Sequence, residues 1–262
     1  MIDAYSLLKT VREKKPLVHH LTNWVTIYDC ANVTRTIGAL PVMAHAPEEV
    51  AQMAGIASAL VLNIGTLTKD LVDSMLIAGE TANRKGIPII LDAVGAGATD
   101  LRTNEARRLL KELKISIIKG NAGEIAAIAG VKAEVKGVES IRVSGDPEKI
   151  AASLAKSKGL VVVITGKVDI ISDSKTTYKV YNGHEMMGKI VGTGCMAASV
   201  IGAFAAVERD YAKAAAAALA CFDIAGEIAA QNAKGPGTFK EAFFDALYNL
   251  NEKQVKERIQ VQ

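Results

Sequence analysis

Aromatic side chains are scarce in this sequence, 5% of 262 residues with a single tryptophan, and so are cysteine, with three, and proline, with six. Three isolated cysteines, Cys30, Cys195 and Cys221, cannot build a disulfide scaffold, and no CxxC pair or zinc-type spacing joins them to His19, His20, His45 or His184. No structural metal is expected. Half of the residues are hydrophobic, which excludes disorder, and the glycines follow no collagen-like repeat. Basic residues are interleaved with acids, leaving a net charge of +3 and no cationic run, so a dedicated nucleic-acid binder is excluded as well. The longest membrane-like run, residues 196–207, stops at Glu208, Arg209 and Asp210, short of the roughly 20 residues that a span requires. It reads as a buried helix, with no membrane partner. The first residues alternate apolar and charged side chains without the apolar stretch of an export signal, so a reducing cytoplasm is the expected location.

What is present is a repeated pattern. Short β-branched runs at 17–20, 40–43, 59–64, 88–92, 116–119 and 160–165 alternate with helical patterns at 23–36, 47–54, 68–85, 104–113, 122–129 and 147–156. Such alternation predicts an α/β fold: a mostly parallel central sheet with helices on both faces. Residues 168–172 and 176–182 read as a hairpin around Asp173, Ser174 and Lys175, and the chain then turns helical and alanine-rich over 211–230 and 238–258. No low-complexity linker interrupts it, so residues 1–262 form one domain, with 134–146 as an inserted loop.

Three glycine-rich segments invite a phosphate. GHEMMGK at 183–189 matches the start of a P-loop, but Ile190 and Val191 stand where a hydroxyl must ligate magnesium and a helix must begin. Gly95 and Gly97 follow a strand without the third glycine of a dinucleotide fingerprint. Gly192, Thr193, Gly194 and Cys195 directly precede a helix, and two glycines there let the unpaired N–H groups of its first turn point at an anion. Taken alone, the motif also fits a plain glycine cap. Asp92 ends an apolar strand at the carboxyl edge of the sheet, where open α/β proteins bind ligands, and Glu124 opens a helix after the next strand. Paired carboxylates there suit Mg2+ held through water and phosphate, although Glu124 also fits an acid that offsets a helix dipole and Asp92 a strand-end turn residue. The Cys195 thiol ordinarily titrates near 8.5, and a helix dipole would lower it toward a usable base; packing at the helix start is the alternative.

The set GTGC at 192–195, LDAVGAG at 91–97, KGNAGE at 119–124 and PVMAH at 41–45, in this order and spacing, resembles the hydroxyethylthiazole kinases of the ribokinase-like superfamily. The resemblance runs from about residue 18 to 247. It implies ATP-dependent phosphorylation, with Mg2+, of the alcohol of 4-methyl-5-(2-hydroxyethyl)thiazole in thiamine salvage. Relatives in the superfamily usually carry Asp where this chain has Cys195, as the thiazole kinases do not. The same resemblance implies that Cys195 activates the hydroxyl beside an anion hole of Gly192, Thr193 and Gly194, and that Lys119 and Thr165 meet ATP with Asp92 and Glu124. Lys119 stands where the family more often has Arg, keeping the charge without the bidentate geometry. Met43, Gly192 and Asn23 are implied at the thiazole, although Asn23 reads equally well as a helix N-cap. A homotrimer with sites between subunits is implied by the resemblance alone. Alternatives are a hydroxymethylpyrimidine or pyridoxal kinase of the same superfamily, a hydrolase with a histidine-activated Cys195, and a nucleotide-binding regulatory protein without catalysis.

Overall fold

The computed structural model describes residues 2–131, 133–136, 139–143 and 145–262, without the side chains of 133–136 and 139–143. Its strands are β1 (Leu17–Leu21), β2 (Leu40–Val42), β3 (Ala59–Asn63), β4 (Ile89–Asp92), β5 (Ile117–Asn121), β6 (Ala133–Lys136), β7 (Glu139–Val143), β8 (Val161–Thr165), β9 (Asp169–Ser172) and β10 (Thr177–Val180). Eight of them form one sheet in the order β10-β9-β8-β5-β4-β3-β1-β2. The run from β8 to β2 is parallel, while β9 and β10 are antiparallel additions at one edge. The C-terminal tail shields that edge, since Lys179 and Gln262 exchange backbone hydrogen bonds of 2.9 and 3.0 Å.

Strand residues alternate between two cores because successive side chains point to opposite faces. Ile90, Ile117, Val161 and Val163 pack with α1 (Ala4–Lys14), α2 (Ile27–Ile37), α8 (Thr193–Ala205), α9 (Tyr211–Ala230) and α10 (Pro236–Asn249). Leu91, Ile118 and Val162 pack with α3 (Val50–Ile56), α4 (Lys69–Lys85), α5 (Asp100–Glu112), α6 (Ala122–Ala129) and α7 (Pro147–Lys158). The first core is rich in alanine, and α9 buries a run of them from Ala214 to Ala218, which brings α8 and α9 close together and close to the sheet. Among the described residues no helix is long and apolar enough to cross a membrane.

The expected sheet with helices on both faces is therefore present, with four local corrections. Residues 4–14 form a helix, α1, capped by Asp3, whose carboxylate accepts from Ser6 N at 3.0 Å. The stretch 134–146 is no plain loop, because β6 and β7 pair antiparallel as a separate ribbon; residues 137, 138 and 144 lie outside the described residues. The pattern over 238–258 divides at Leu250, where Asn251 and Gln254 form a capping box that starts α11 (Glu252–Arg258). The helix expected from Asn23 begins at Ile27, with Thr26 as its N-cap.

The chain passes from β1 to β2 on one side and then to β3 on the other, so β1 and β3 flank a switch point of the sheet. Ligand crevices of open α/β sheets lie at the carboxyl ends of strands beside such a point.

Candidate active site

Parallel pairing sets Asn63 of β3 opposite Asp92 of β4, and Asp92 opposite Lys119 of β5. Because Leu62, Leu91 and Ile118 face the other core, all three polar residues face α8. The Lys119 ammonium lies 3.0 Å from Asp92 Oδ1, while Asn63 Nδ2 donates to Asp92 Oδ2 at 2.7 Å. Asn63 Oδ1 in turn accepts from Gly65 N at 2.9 Å and from Asn23 Nδ2 at 3.0 Å. Asn23 Nδ2 also donates to Cys195 Sγ at 3.3 Å. A continuous buried chain of polar contacts thus runs from Lys119 to the first turn of α8.

Gly192 is the N-cap of α8, in the left-handed region at φ +96°, and a Cβ there would lie 2.7 Å from the Thr26 methyl. Glycine is required on both counts. The first hydrogen bond of the helix, Met196 N to Gly192 O at 2.8 Å, leaves the N–H groups of Thr193, Gly194 and Cys195 ahead of it. At Gly194 a Cβ would lie 2.9 Å from Lys119 Nζ, so the absence of a side chain lets the ammonium reach the helix start. A cation and a helix N-terminus at the same point favour a polyanion.

Two cavities meet here. One of about 500 Å³ is lined by Asn23, Lys119, Glu124, Thr165 and residues 188–195; another of about 740 Å³ is lined by Lys167, Asp169, Phe222 and Asp223. Thr165, Gly188, Thr193 and Gly194 border both, so the GTGC turn separates two connected compartments. The segment 183–189 that resembles a P-loop ends in a short 3-10 turn, Glu185–Lys189, followed by extended Ile190, and no α-helix starts at Lys189.

Burial alone would lower the Lys119 ammonium, but Asp92 and Glu124 outweigh it and push it up to about 12, so it stays cationic. Burial pushes the Asp92 carboxyl up, opposed by Lys119 and Asn63. With an ammonium at 3.0 Å, we take the pair as ionised. For Cys195 the expected lowering does not occur. Burial raises the thiol, Asp92 adds to this, and Lys119 with nearby Thr26 and Asn63 only partly offset them.

The two carboxylates expected at magnesium, Asp92 and Glu124, are placed differently from each other. Asp92 is fully buried, is absent from the wall of either cavity, and has one oxygen on Lys119 and the other on Asn63. Glu124 does line the smaller cavity, but Oε1 accepts from Gly95 N and Oε2 from Asn121 N, each at 2.7 Å. The second contact belongs to a capping box with Asn121 at the start of α6, so the helix-start reading of Glu124 holds. Among the described residues no group of three or more His, Cys, Asp or Glu could hold a metal.

Thr165 ends β8 at the rim, its hydroxyl 3.5 Å from Gly120 O. Asn23 caps a turn rather than the helix itself, its Oδ1 accepting from Val25 N and Thr26 N at 3.1 and 3.0 Å. Met43 follows the edge strand β2 and lines neither cavity of its own chain. Its carbonyl accepts from His45 Nδ1 at 2.7 Å. Cys195 has Asn23 within hydrogen-bond distance, with Thr26 and Asn63 nearby and no histidine among these neighbours, which removes the basis for a histidine-activated nucleophile. Sequence reasoning missed Asn63 and Arg102; the Arg102 guanidinium donates to the carbonyls of Ile64, Gly65 and Val94 and so ties together the two loops after β3 and β4. The available signal was that three apolar runs end in Asn63, Asp92 and Lys119.

A family model described as the hydroxyethylthiazole kinase family matches residues 8–253. A hydroxyethylthiazole kinase of Methanosarcina mazei is 60% identical over 255 residues, covering 97% of this chain and 98% of that protein. One from Thermoanaerobacter pseudethanolicus is 54% identical over 252 residues, covering 95% and 96%. The solved structure of hydroxyethylthiazole kinase protein from Pyrococcus horikoshii OT3 matches with a TM-score of 0.91 at 43% identity, covering 99% of this chain and 98% of that one. Pyridoxal kinase of Staphylococcus aureus, in complex with AMP-PCP and pyridoxal, matches with a TM-score of 0.60 over 95% of this chain and 98% of that one, but at 16% identity it shares the fold alone. With its sheet, its GTGC turn and these relatives in agreement, the chain belongs to the hydroxyethylthiazole kinase family, within the ribokinase-like fold.

Proposed function

We propose that this chain transfers the terminal phosphoryl group of ATP to the primary alcohol of 4-methyl-5-(2-hydroxyethyl)thiazole, in thiamine salvage. One observation carries the reading: the first turn of α8, with the Lys119 ammonium against Gly194, separates two connected cavities. Phosphoryl transfer passes through a loose transition state whose charge is spread over the moving group, so positioned cations and N–H groups supply most of the catalysis. Gly192, Thr193 and Gly194 with Lys119 offer that environment, with Thr165 bordering both compartments for the nucleotide.

Mg2+ would arrive with the nucleotide, neutralising its phosphates, with Glu124 holding it through water as the acidic side chain on the wall of the smaller cavity. Cys195 stands at the anion hole, at a distance from Asn23 that fits a proton-accepting sulfur. Because burial keeps its thiol protonated in most molecules near neutral pH, its part in accepting the alcohol proton is secondary to the anion hole.

The active enzyme is a homotrimer in the cytoplasm. Trp24, Val25, Tyr28 and Val191 are large apolar side chains between 57 and 77% exposed, and Val25 and Val191 also line the smaller cavity. An apolar rim of this kind suits a subunit contact. Met43 would then contact the thiazole of a neighbouring copy.

A coupled assay with ATP and Mg2+ tests the reading by offering the thiazole alcohol beside hydroxymethylpyrimidine and pyridoxal. Fastest turnover of the thiazole is expected, and faster turnover of either competitor overturns the substrate. Light scattering of the purified protein should give three times the chain mass.

A further inference from the structure

The polar chain between Lys119 and Cys195 has a direction. An ionised carboxylate only accepts hydrogen bonds, so Asp92 Oδ2 compels Asn63 to present its NH2 group, at 2.7 Å. The opposite end of the same amide, Oδ1, must then face Asn23 and Gly65 N. That acceptor in turn selects the Nδ2 end of Asn23, whose second hydrogen lies on Cys195 Sγ. The carbonyl of Asn23 is held by Val25 N, Thr26 N and Thr26 Oγ1, at 3.1, 3.0 and 3.1 Å, which opposes a flip of this amide from the other side. Asn63 and Asn23 are 1 and 3% exposed, so water does not substitute for any of these partners.

Asn63 itself lines neither cavity. It is the link between a carboxylate that lies outside both cavities and a sulfur on the wall of the smaller one. We propose that Asn63 is a positioning residue for phosphoryl transfer: by converting the acceptor-only Asp92 into an N–H aimed at Cys195 Sγ, it holds Asn23 and Cys195 in the orientation that receives the alcohol proton. A hydrogen bond donated to sulfur favours its ionised form, and that form is what burial opposes here. Without Asn63, the Asn23 NH2 group loses the acceptor that anchors it beside the sulfur, and only the contacts to its carbonyl remain.

The proposal rests on the kinase reading for its turnover arm only; the chemistry of Cys195 is measurable without catalysis. The test is the pH dependence of iodoacetamide alkylation at Cys195, read by peptide mass spectrometry in the full chain, for the wild type, Asn63→Leu, Asn23→Ala and the double variant. In Asn63→Leu the alkylation midpoint is expected to move up by about one pH unit. In the same variant kcat for the thiazole alcohol falls about tenfold while KM for ATP stays within about twofold. Asn23→Ala gives a similar upward movement, and the double variant moves less than the sum of the two. If leucine at 63 prevents folding, Asn63→Ser carries the same expectation, because its hydroxyl is too short to reach Asn23. An unmoved or lowered midpoint in a folded Asn63 variant, or strict additivity with Asn23→Ala, overturns the proposal. A moved midpoint in a chain that does not turn over the thiazole overturns the kinase reading and leaves the positioning of the sulfur intact.

Discussion

Lys119 Nζ and Asp92 Oδ1 lie 3.0 Å apart with side chains 5 and 0% exposed, on adjacent strands and under the first turn of α8. Each is the counter-charge that allows the other to be buried. Lys119→Met strands the carboxylate and is expected to cost about 3–5 kcal/mol of stability, the usual penalty for breaking one side of a buried pair. Lys119→Met with Asp92→Asn recovers most of that stability by removing the unpaired charge. Turnover remains at least about a hundredfold down in both, since the cation at the anion hole is gone. Denaturant unfolding beside steady-state kinetics separates the two effects.

Cys195 gives a pH prediction. Its thiol is raised by burial, so the ionised fraction is small near neutrality and grows as pH rises. Wild-type kcat should therefore climb between about pH 7 and 9, and the climb should be absent in Cys195→Asp, whose carboxylate is already ionised over that range. Cys195→Ala keeps turnover to within about a hundredfold, as the anion hole is intact. A dead Asp variant beside a fully active Ala variant would refute the proton-accepting role.

The larger cavity holds a second pair of buried carboxyls, Asp169 and Asp223, each 6% exposed. Burial holds Asp169 up at about 6 and Asp223 well above the ordinary carboxylate range, with mutual proximity adding to the latter. The folded chain thus retains protons that the unfolded chain releases near pH 4, so this contribution to stability is present at low pH and is lost as pH rises, through about 6 for Asp169 and higher for Asp223. Asp223→Asn should raise Tm by about 4 °C near pH 8 and by much less near pH 4.5, a difference that calorimetry at the two pH values resolves.

Glu124 joins a helix start to the cavity wall. Glu124→Gln leaves one carbonyl where two oxygens accept from Gly95 N and Asn121 N, so a loss of about 1–2 kcal/mol is expected in thermal unfolding. If Glu124 also holds Mg2+ through water, the half-saturating Mg2+ concentration in the kinase assay rises about tenfold in the same variant. A changed melting curve with an unchanged Mg2+ titration confines Glu124 to the capping box.

Much of this architecture is legible in the chain because its signals are local. Apolar runs of strand length, helical stretches between them and glycines before residue 196 are properties of consecutive residues. The helix over 4–14 shows the limit of that method: its buried face of Ala4, Leu8 and Val11 is hidden among charged residues and becomes legible only against α9. Asn63 shows another. It ends an apolar strand without a recognisable motif, and its importance comes from register, which pairs it with Asp92 across a gap of 29 residues. Met43 is the reverse case, implied by the PVMAH motif yet outside both cavities of its own chain.

The sequence by itself determined the alternation that produces a parallel sheet with two covered faces, the glycine turn that frees a helix N-terminus, and the motif set that identifies the family. These follow from side-chain periodicity, backbone freedom and residue order, all written along the chain. Only the tertiary structure decided which charges the site carries. It buried Asp92 beside Lys119 and away from the cavities, placed both Glu124 oxygens on backbone N–H groups, and raised the thiol that a helix dipole alone would have lowered. Proton affinity depends on desolvation and on partners distant in the chain, so it exists only once strands and helices have packed.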